Sequence, residues 1–139
     1  MSDGRFFSRG ELEWEAPYWG RMAWIARPDV TGSRDVVVGE VEFAPGGFHG
    51  FHYHPGQEEV LYVVEGQVEQ WLGTEHRVLG PGESVFVARD VVHASFNVSD
   101  GASRIVVVVG PCVGEEGYRA VEVGDEEPWK GLRPVAAKS

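Results

Sequence analysis

Short runs rich in valine, isoleucine and aromatic residues recur along this chain, and turns that contain glycine or proline separate them. The 139 residues include 19 glycines and 8 prolines. Turns such as Pro45–Gly47 and Gly80–Gly82 combine the fixed φ of proline with the positive φ that glycine tolerates. This spacing is typical of an antiparallel barrel or sandwich, so we predict an all-β fold. The ten predicted strands cover residues 21–26, 34–43, 48–54, 59–65, 67–73, 76–79, 83–88, 92–98, 103–110 and 118–123.

The chain is long enough for one domain with a sizeable core, and a second domain is not expected. We predict a barrel over residues 21–123, an N-terminal arm over 1–20 and a C-terminal tail over 124–139. The arm is acidic and yet contains aromatic side chains such as Trp14 and Trp19, whose exposure to water is unfavourable. It is therefore expected to dock, either on its own barrel or on a neighbouring subunit.

The charge balance limits the partners of the chain. Twelve basic residues stand against 22 acidic ones, which gives a net charge of −10 and argues against nucleic acid or an anionic membrane as partner. The longest wholly apolar run, Ile105–Val109, is far too short to span a bilayer. Cys112 is the single cysteine, so no disulfide can form within the chain, and a reducing cytoplasm is the expected location.

Three residues that can bind a metal, two histidines and a glutamate, lie between Gly46 and Gly66. His52 and His54 are two positions apart in a predicted strand, and a strand points alternate side chains to one face. The Pro55–Gly56 turn then allows Glu59 to come back toward the two imidazoles. His93 begins a later β-rich run and can supply a fourth ligand from an adjacent strand.

A single histidine is more often exposed or hydrogen-bonded than bound to a metal. Two histidines and a carboxylate that face one barrel interior are costly to desolvate, however, and a cation offsets that cost. The sequence therefore favours a metal site. His49 and His76 do not share this pattern. His49 is out of phase with His52 in a regular strand, and His76 lies near a predicted turn. Both are expected at the surface.

These residues resemble the two signature motifs of the cupin superfamily. The first motif, G(X)5HXH(X)4E(X)6G, is complete here at Gly46, His52, His54, Glu59 and Gly66. The second, G(X)5PXG(X)2H(X)3N, is matched at Gly82, His93 and Asn97, whereas Ala88 and Asp90 replace its proline and second glycine. These two replacements put the turn before His93 in question, although not the ligand itself.

The resemblance implies an antiparallel double-stranded β-helix, the jelly-roll barrel of a single-domain cupin. It also implies that His52, His54, Glu59 and His93 bind one divalent transition metal, which is iron, manganese, nickel, zinc or copper in cupins with this ligand set. Many such cupins form homodimers through sheet edges and N-terminal arms, and the same is expected here.

Strand alternation predicts which side chains accompany the ligands in a pocket. Phe48 shares the predicted face of His52, Leu61 and Val63 that of Glu59, and Ser95 and Asn97 that of His93. Such a cavity is mostly apolar and suits a small aromatic or enol-bearing molecule better than a sugar. The same residues are also what any barrel core contains. Gln57 either lies at the mouth or faces water.

The ligand set and the fold do not determine which reaction is catalysed. The leading hypothesis is a metal-dependent enzyme that acts on a small organic molecule, with a dioxygenase, an oxidoreductase that inserts oxygen, as the first choice. A metal-dependent isomerase or lyase is the next. A non-catalytic module that binds a small molecule, and a purely structural zinc site, are the remaining alternatives.

Overall fold

The structure is a computed structural model, and it describes residues 3–17 and 19–133. Strand Glu58–Glu65 alternates exposed and buried side chains over most of its length, because one face packs on the core and the other faces solvent. The strands are β1 (Trp14–Glu15), β2 (Gly20–Ala26), β3 (Val37–Phe43), β4 (Phe48–Tyr53), β5 (Glu58–Glu65), β6 (Val68–Leu72), β7 (Glu75–Leu79), β8 (Ser84–Val87), β9 (His93–Asn97), β10 (Ser103–Gly110) and β11 (Val121–Glu122).

The strands form two antiparallel sheets. One sheet has the order β1-β2-β3-β10-β5-β8, and the other has the order β11-β4-β9-β6-β7. Strands β4 and β5, which carry the first motif, therefore lie in opposite sheets, while β4 and β9 are neighbours in the five-stranded sheet. This connectivity confirms the all-β jelly roll, and it brings the two separated motifs to one place.

Each of the ten predicted strands is present, and its ends lie within three residues of the prediction. Three elements were not predicted. Two lie in the arm, a 3-10 turn at Arg9–Glu11 and β1. The third is α1, a single helical turn at Pro28–Thr31 that ends at Gly32 with φ 72°. The described residues contain no helix with the length and apolarity needed to cross a membrane.

The main core lies between the two sheets. It is built from inward side chains of both sheets: Val41, Phe43, Leu61, Val63, Val68, Leu79, Val87, Ile105 and Val107. A second apolar cluster around Phe51, Trp71 and Phe96 lies on the other face of the five-stranded sheet. Trp129 of the predicted tail packs on this cluster and donates its indole N–H to the carbonyl of Gly73 at 3.3 Å.

The arm docks on its own barrel, which was one of the two alternatives. Trp14 of β1 pairs with Ala23 of β2, which adds a strand to the six-stranded sheet. Arg9 reaches both carboxylate oxygens of the buried Glu40, at 2.6 and 2.8 Å, and Arg104 contacts the same carboxylate at 3.2 Å. Residues 1, 2 and 18 of the predicted arm and residues 134–139 of the predicted tail lie outside the described residues.

Candidate metal centre

Four side chains from three strands and a turn meet at one point between the sheets. His52 lies in β4, His54 directly follows β4, Glu59 lies in β5 and His93 begins β9. All four are buried, and one ligand atom from each can be chosen so that these atoms all lie within 4.8 Å of one another. The structure thus brings together the four residues that the resemblance identified as metal ligands.

Backbone carbonyls fix the orientation of each imidazole. The Nδ1 atoms contact carbonyl oxygens as follows: His52 to Gly50 at 2.7 Å, His54 to Arg119 at 2.8 Å and His93 to Val91 at 3.0 Å. A carbonyl oxygen only accepts hydrogen bonds, so in each neutral ring the proton is on Nδ1 and the lone pair is on Nε2. This is the arrangement that a metal-binding histidine requires.

The inward atoms lack protein hydrogen-bond partners. The Nε2 atoms of His54 and His93 lie 3.1 and 2.7 Å from Oε1 of Glu59, yet the ring geometry does not satisfy a hydrogen bond, and all three atoms are buried without one. A buried polar atom left unsatisfied costs about 1–3 kcal/mol. Three imidazole nitrogens and a carboxylate oxygen form a donor set that suits a divalent transition metal, so the residues present fit such an ion.

The electrostatics of the cluster favour a charged Glu59 carboxylate and a neutral His52, whereas they shift His54 toward its protonated form. Burial, the largest effect, raises the pKa of the Glu59 carboxyl, but its close contacts with His54 and His93 outweigh burial and lower that pKa to about 2. Burial, with smaller contributions from His49 and His93, moves the pKa of His52 well below its usual value. For His54 burial also lowers the pKa, but Glu59 and the Arg119 carbonyl reverse the direction and raise it.

A bulge in β4 changes which side chains face this site. His49 pairs with Ser95 and His52 pairs with His93, so two residues of β4 oppose one residue of β9. Because of the extra residue, His49 lines the cavity and stacks on the His52 ring with centroids 3.8 Å apart. Regular alternation predicts His49 at the surface. Its side chain is 40% exposed, but it also faces the cavity, which the sequence did not predict.

The same bulge removes Phe48 from the predicted pocket. Phe48 lies on the opposite face of the sheet, where its ring stacks on Phe96 with centroids 5.5 Å apart. Val63 is part of the main core and does not line the cavity. Asn97 does not line it either, because its amide donates to three backbone carbonyls, including that of Ala44 at 3.0 Å. Leu61 and Ser95 do line the cavity.

The cavity beside the four ligands has a volume of about 250 Å³ and mostly apolar walls. Alternate residues of β2 and β10 contribute much of the wall, and alternation could have indicated them: Met22, Trp24, Ile105, Val107 and Val109. Trp19 from the arm and Tyr118 from the segment after β10 also line it. No local sequence signal indicated these two, since their position depends on how distant segments pack.

Gln57 is fully buried rather than at the mouth or in water, with an exposed fraction of 1%. Its side-chain nitrogen donates to the carbonyls of Pro111 at 2.7 Å and Gly117 at 3.0 Å, and its oxygen accepts the N–H of Arg119 at 3.2 Å. The Arg119 carbonyl in turn accepts the Nδ1–H of His54. Gln57 therefore positions the segment that orients one imidazole of the site.

Asp90 retains the geometry of the glycine that it replaces in the second motif. Its φ is 65°, a left-handed conformation that Asp adopts more readily than most residues. Its carboxylate also accepts the N–H of Gly56 at 2.8 Å, which joins the turn before His93 to the turn after His54. The departure from the motif thus leaves the position of His93 intact.

Comparisons with known proteins agree with this site. A family model described as "Cupin domain" matches residues 39–109. The chain is 36% identical to a germin-like protein 3-8 of Oryza sativa subsp. japonica, over 51% of this chain and 34% of that protein. It is 31% identical to the polyketide synthase CurC of Streptomyces cyaneus, over 73% of this chain and 66% of that protein. The chain thus spans about a third of the first relative and just under two thirds of the second.

A solved structure has the same fold. The structure of KdgF from Halomonas sp. superposes with a TM-score of 0.71 at 23% identity, and the match covers 79% of this chain and 96% of that one.

Replacing His54 by Ala is expected to weaken Zn²⁺ binding by about 100-fold or more, since even changes outside the ligand shell cost about 10–100-fold. Titration against a chromophoric chelator measures this, and thermal unfolding checks that the barrel remains folded. His76→Ala is the matched control, because His76 is an exposed histidine on β7. Unchanged Zn²⁺ affinity in His54→Ala would contradict the ligand assignment.

Replacing Gln57 by Leu is expected to weaken Zn²⁺ binding by about 10–100-fold, because His54 loses the support of a correctly placed Arg119 carbonyl. Gln70→Leu is the control, since Gln70 is also a buried amide but contacts only Ser95 and the Trp71 backbone. Nitrogen-15 NMR of the metal-free protein reads the histidine tautomers. The Nδ1–H form of His54 should be lost in Gln57→Leu alone, while His52 and His93 keep theirs; equal effects of the two variants would argue against this role.

Proposed function

The chain belongs to the cupin domain family, and from this premise we propose that it is a mononuclear metal-dependent enzyme that acts on a small organic molecule, with oxygen insertion as its leading reaction. One observation carries the proposal: four buried side chains converge at the wall of an apolar cavity, and three of them present atoms that lack a hydrogen-bond partner. A purely structural zinc site has no need of an adjoining cavity, so this arrangement favours chemistry over a structural role.

The chain's own residues would perform three tasks. His52, His54, Glu59 and His93 would hold a divalent ion, and coordination positions that the protein does not fill would be available to a substrate, or to a substrate and dioxygen. The bound ion would polarise a carbonyl or enol oxygen, or pass electrons between substrate and dioxygen. The apolar walls orient a flat molecule and exclude water from it.

Two further side chains stand where a substrate would lie. Burial, followed by the charges of Glu116 and Glu15, raises the pKa of Tyr118, so its hydroxyl stays protonated and can donate a hydrogen bond to a substrate oxygen. His49 faces the cavity with its Nε2 atom 3.3 Å from the carboxylate of Glu122. These groups sit beside the four ligands and are available to position a substrate.

A second candidate is an isomerase or lyase that needs no dioxygen. The paired His49 and Glu122 at the cavity favour it, because such a pair can hold a proton beside a polarised carbonyl. The names of similar proteins support small organic substrates for either reaction, since one is described as a polyketide synthase protein and another as a pectin degradation protein. A non-catalytic binding module uses the same cavity without turnover.

Oxygen consumption separates these candidates. The protein loaded with Fe²⁺ is expected to consume dioxygen in proportion to substrate loss with at least one member of a panel of flavonols, diketones, catechols and thiols, as an oxygen electrode would measure. His93→Ala should abolish the uptake, because it removes a metal ligand. If no compound produces uptake while the metal is fully bound, the oxygenase proposal fails and the isomerase or the binding module replaces it.

We also propose that the chain forms a homodimer through the outer face of the six-stranded sheet. Tyr62 and Phe86 are 46% and 55% exposed there, and Val60 and Val64 are exposed beside them on β5. Val60 and Phe86 face each other across neighbouring strands, so these side chains form a continuous apolar patch. Contiguous apolar patches of this kind mark protein–protein contacts.

Substituting both Tyr62 and Phe86 by Arg is expected to convert the dimer to a monomer, because four charged side chains would then meet at the symmetric contact. Light scattering coupled to gel filtration measures the molar mass. Val78→Arg is the control, since Val78 is 52% exposed on β7 of the other sheet. A wild-type monomer, or a double variant that remains dimeric, would contradict the proposed contact.

A further inference from the structure

Resting on the metal site proposed above, we infer that the cavity selects chelating ligands that carry a single negative charge when bound, such as the enolate of a β-diketone or the anion of an ortho-acyl phenol. Dianionic chelators, such as dicarboxylates, are excluded. The inference rests on which charges the cavity holds and which it lacks.

The four ligands set the charge that a substrate must balance. The three imidazoles would bind an ion in the neutral form, with each Nδ1–H donated to a backbone carbonyl and the Nε2 lone pair left for the ion. A ligating Glu59 carboxylate supplies one negative charge. A divalent ion in this set leaves one net positive charge, which a monoanion neutralises and a dianion reverses.

The described walls of the cavity contain no lysine or arginine that could pair with a second anionic group of a bound molecule. Among the described residues, none of the sixteen that line the cavity is Lys or Arg. The nearby arginines are engaged elsewhere: Arg21 with Glu42, Arg27 with Asp29, and Arg104 with Glu40. Arg119 contributes its backbone carbonyl to His54, while its side chain is exposed. Among the described lining residues outside the candidate ligands, only His49 could carry a positive charge, and the Glu122 carboxylate already lies 3.3 Å from its Nε2 atom. A second carboxylate would therefore be buried without a free counter-charge, which is strongly unfavourable in an apolar site.

An acidic residue near the cavity strengthens the exclusion. The Glu122 carboxylate lies 3.3 Å from Nε2 of His49, which lines the cavity. This carboxylate would repel a second negative charge on a ligand. A neutral molecule that loses one proton as it chelates avoids this repulsion on entry.

The size and shape of the cavity point to a small flat body behind the chelating oxygens. Its volume of about 250 Å³ is below the range of roughly 300–1,000 Å³ that drug-sized ligands occupy. Trp19, Trp24 and Tyr118 line it, and Trp24 and Tyr118 pack with ring centroids 5.1 Å apart. Aromatic walls bury a planar conjugated ligand more favourably than a hydrated one.

Acetylacetone and malonate form a matched pair of probes. Both form a six-membered chelate, but malonate replaces the two methyl groups by carboxylate oxygens and carries one more negative charge. Zn²⁺-loaded protein is titrated with each by calorimetry, and the ratio of the two Kd values is compared with the ratio for aqueous Zn²⁺. We expect the protein to shift this ratio toward acetylacetone by about tenfold or more, because a buried uncompensated charge costs several kcal/mol.

A cation placed in the wall should reverse the preference. Met22 lines the cavity and is partly buried on β2, so Met22→Lys places an ammonium group there in a side chain of similar length. Malonate affinity should rise by about tenfold in Met22→Lys, whereas the neutral control Met22→Gln should leave the Kd ratio near that of the wild type. Thermal unfolding confirms that each variant is folded.

The outcomes separate this inference from the proposed function. A ratio equal to that of aqueous Zn²⁺, or one shifted toward malonate, overturns the inference alone, and so does an equal rise in malonate affinity in both Met22 variants. Failure of the folded protein to bind Zn²⁺ overturns both the inference and the metal-dependent function. Selective binding of acetylacetone upholds the inference even where no dioxygen is consumed.

Discussion

The structure of the site depends on four side chains that converge on one point, where three of the converging atoms have no protein hydrogen bond. His52 and His93 are cross-strand partners, and Glu59 reaches the same point from the opposite sheet. Three backbone carbonyls hold the rings so that each presents an unprotonated nitrogen inward. Each unsatisfied buried atom is costly, and a cation bound among these side chains would offset that cost.

The segment after β10 couples the metal centre to the cavity wall. Tyr118 lines the cavity while the next residue, Arg119, holds His54 through its carbonyl. Gly117 lets this segment lie close to the barrel, since its φ is 85° and a Cβ there would come within 2.6 Å of both Val37 and Pro28. Gln57 fixes the same segment from the turn between two ligands. A shift of the cavity wall would therefore move the Arg119 carbonyl that orients His54. The shape of a bound molecule and the geometry of the metal site are therefore coupled.

Local patterns predicted most of the fold, and the resemblance to the cupin motifs identified the four residues that the structure brings together. Period-two alternation and glycine-proline turns located ten strands, and motif spacing identified His52, His54, Glu59 and His93. Pocket prediction failed where one extra residue in β4 reversed the phase, which moved Phe48 out of the cavity and His49 into it. Such a bulge is a tertiary adjustment with no clear local signal. The roles of Trp19 and Gln57 likewise depend on contacts between distant segments.

The polarity of this interior is concentrated in the metal ligands, and this distribution determines how selectivity can arise. Ser95 lines the cavity, but its hydroxyl hydrogen is donated to Gln70 at 2.6 Å, so toward a ligand it can only accept. The aliphatic and aromatic walls offer shape and exclude charge, and Tyr118, His49 and Trp24, whose indole N–H has no protein partner, remain as possible donors. A site with few hydrogen-bonding groups cannot bind a substrate that carries many hydroxyls, because the hydroxyls without a partner would be buried unpaired. The site must therefore select its substrate by excluding other molecules. A suitable substrate chelates the metal and has a small, flat body of low charge.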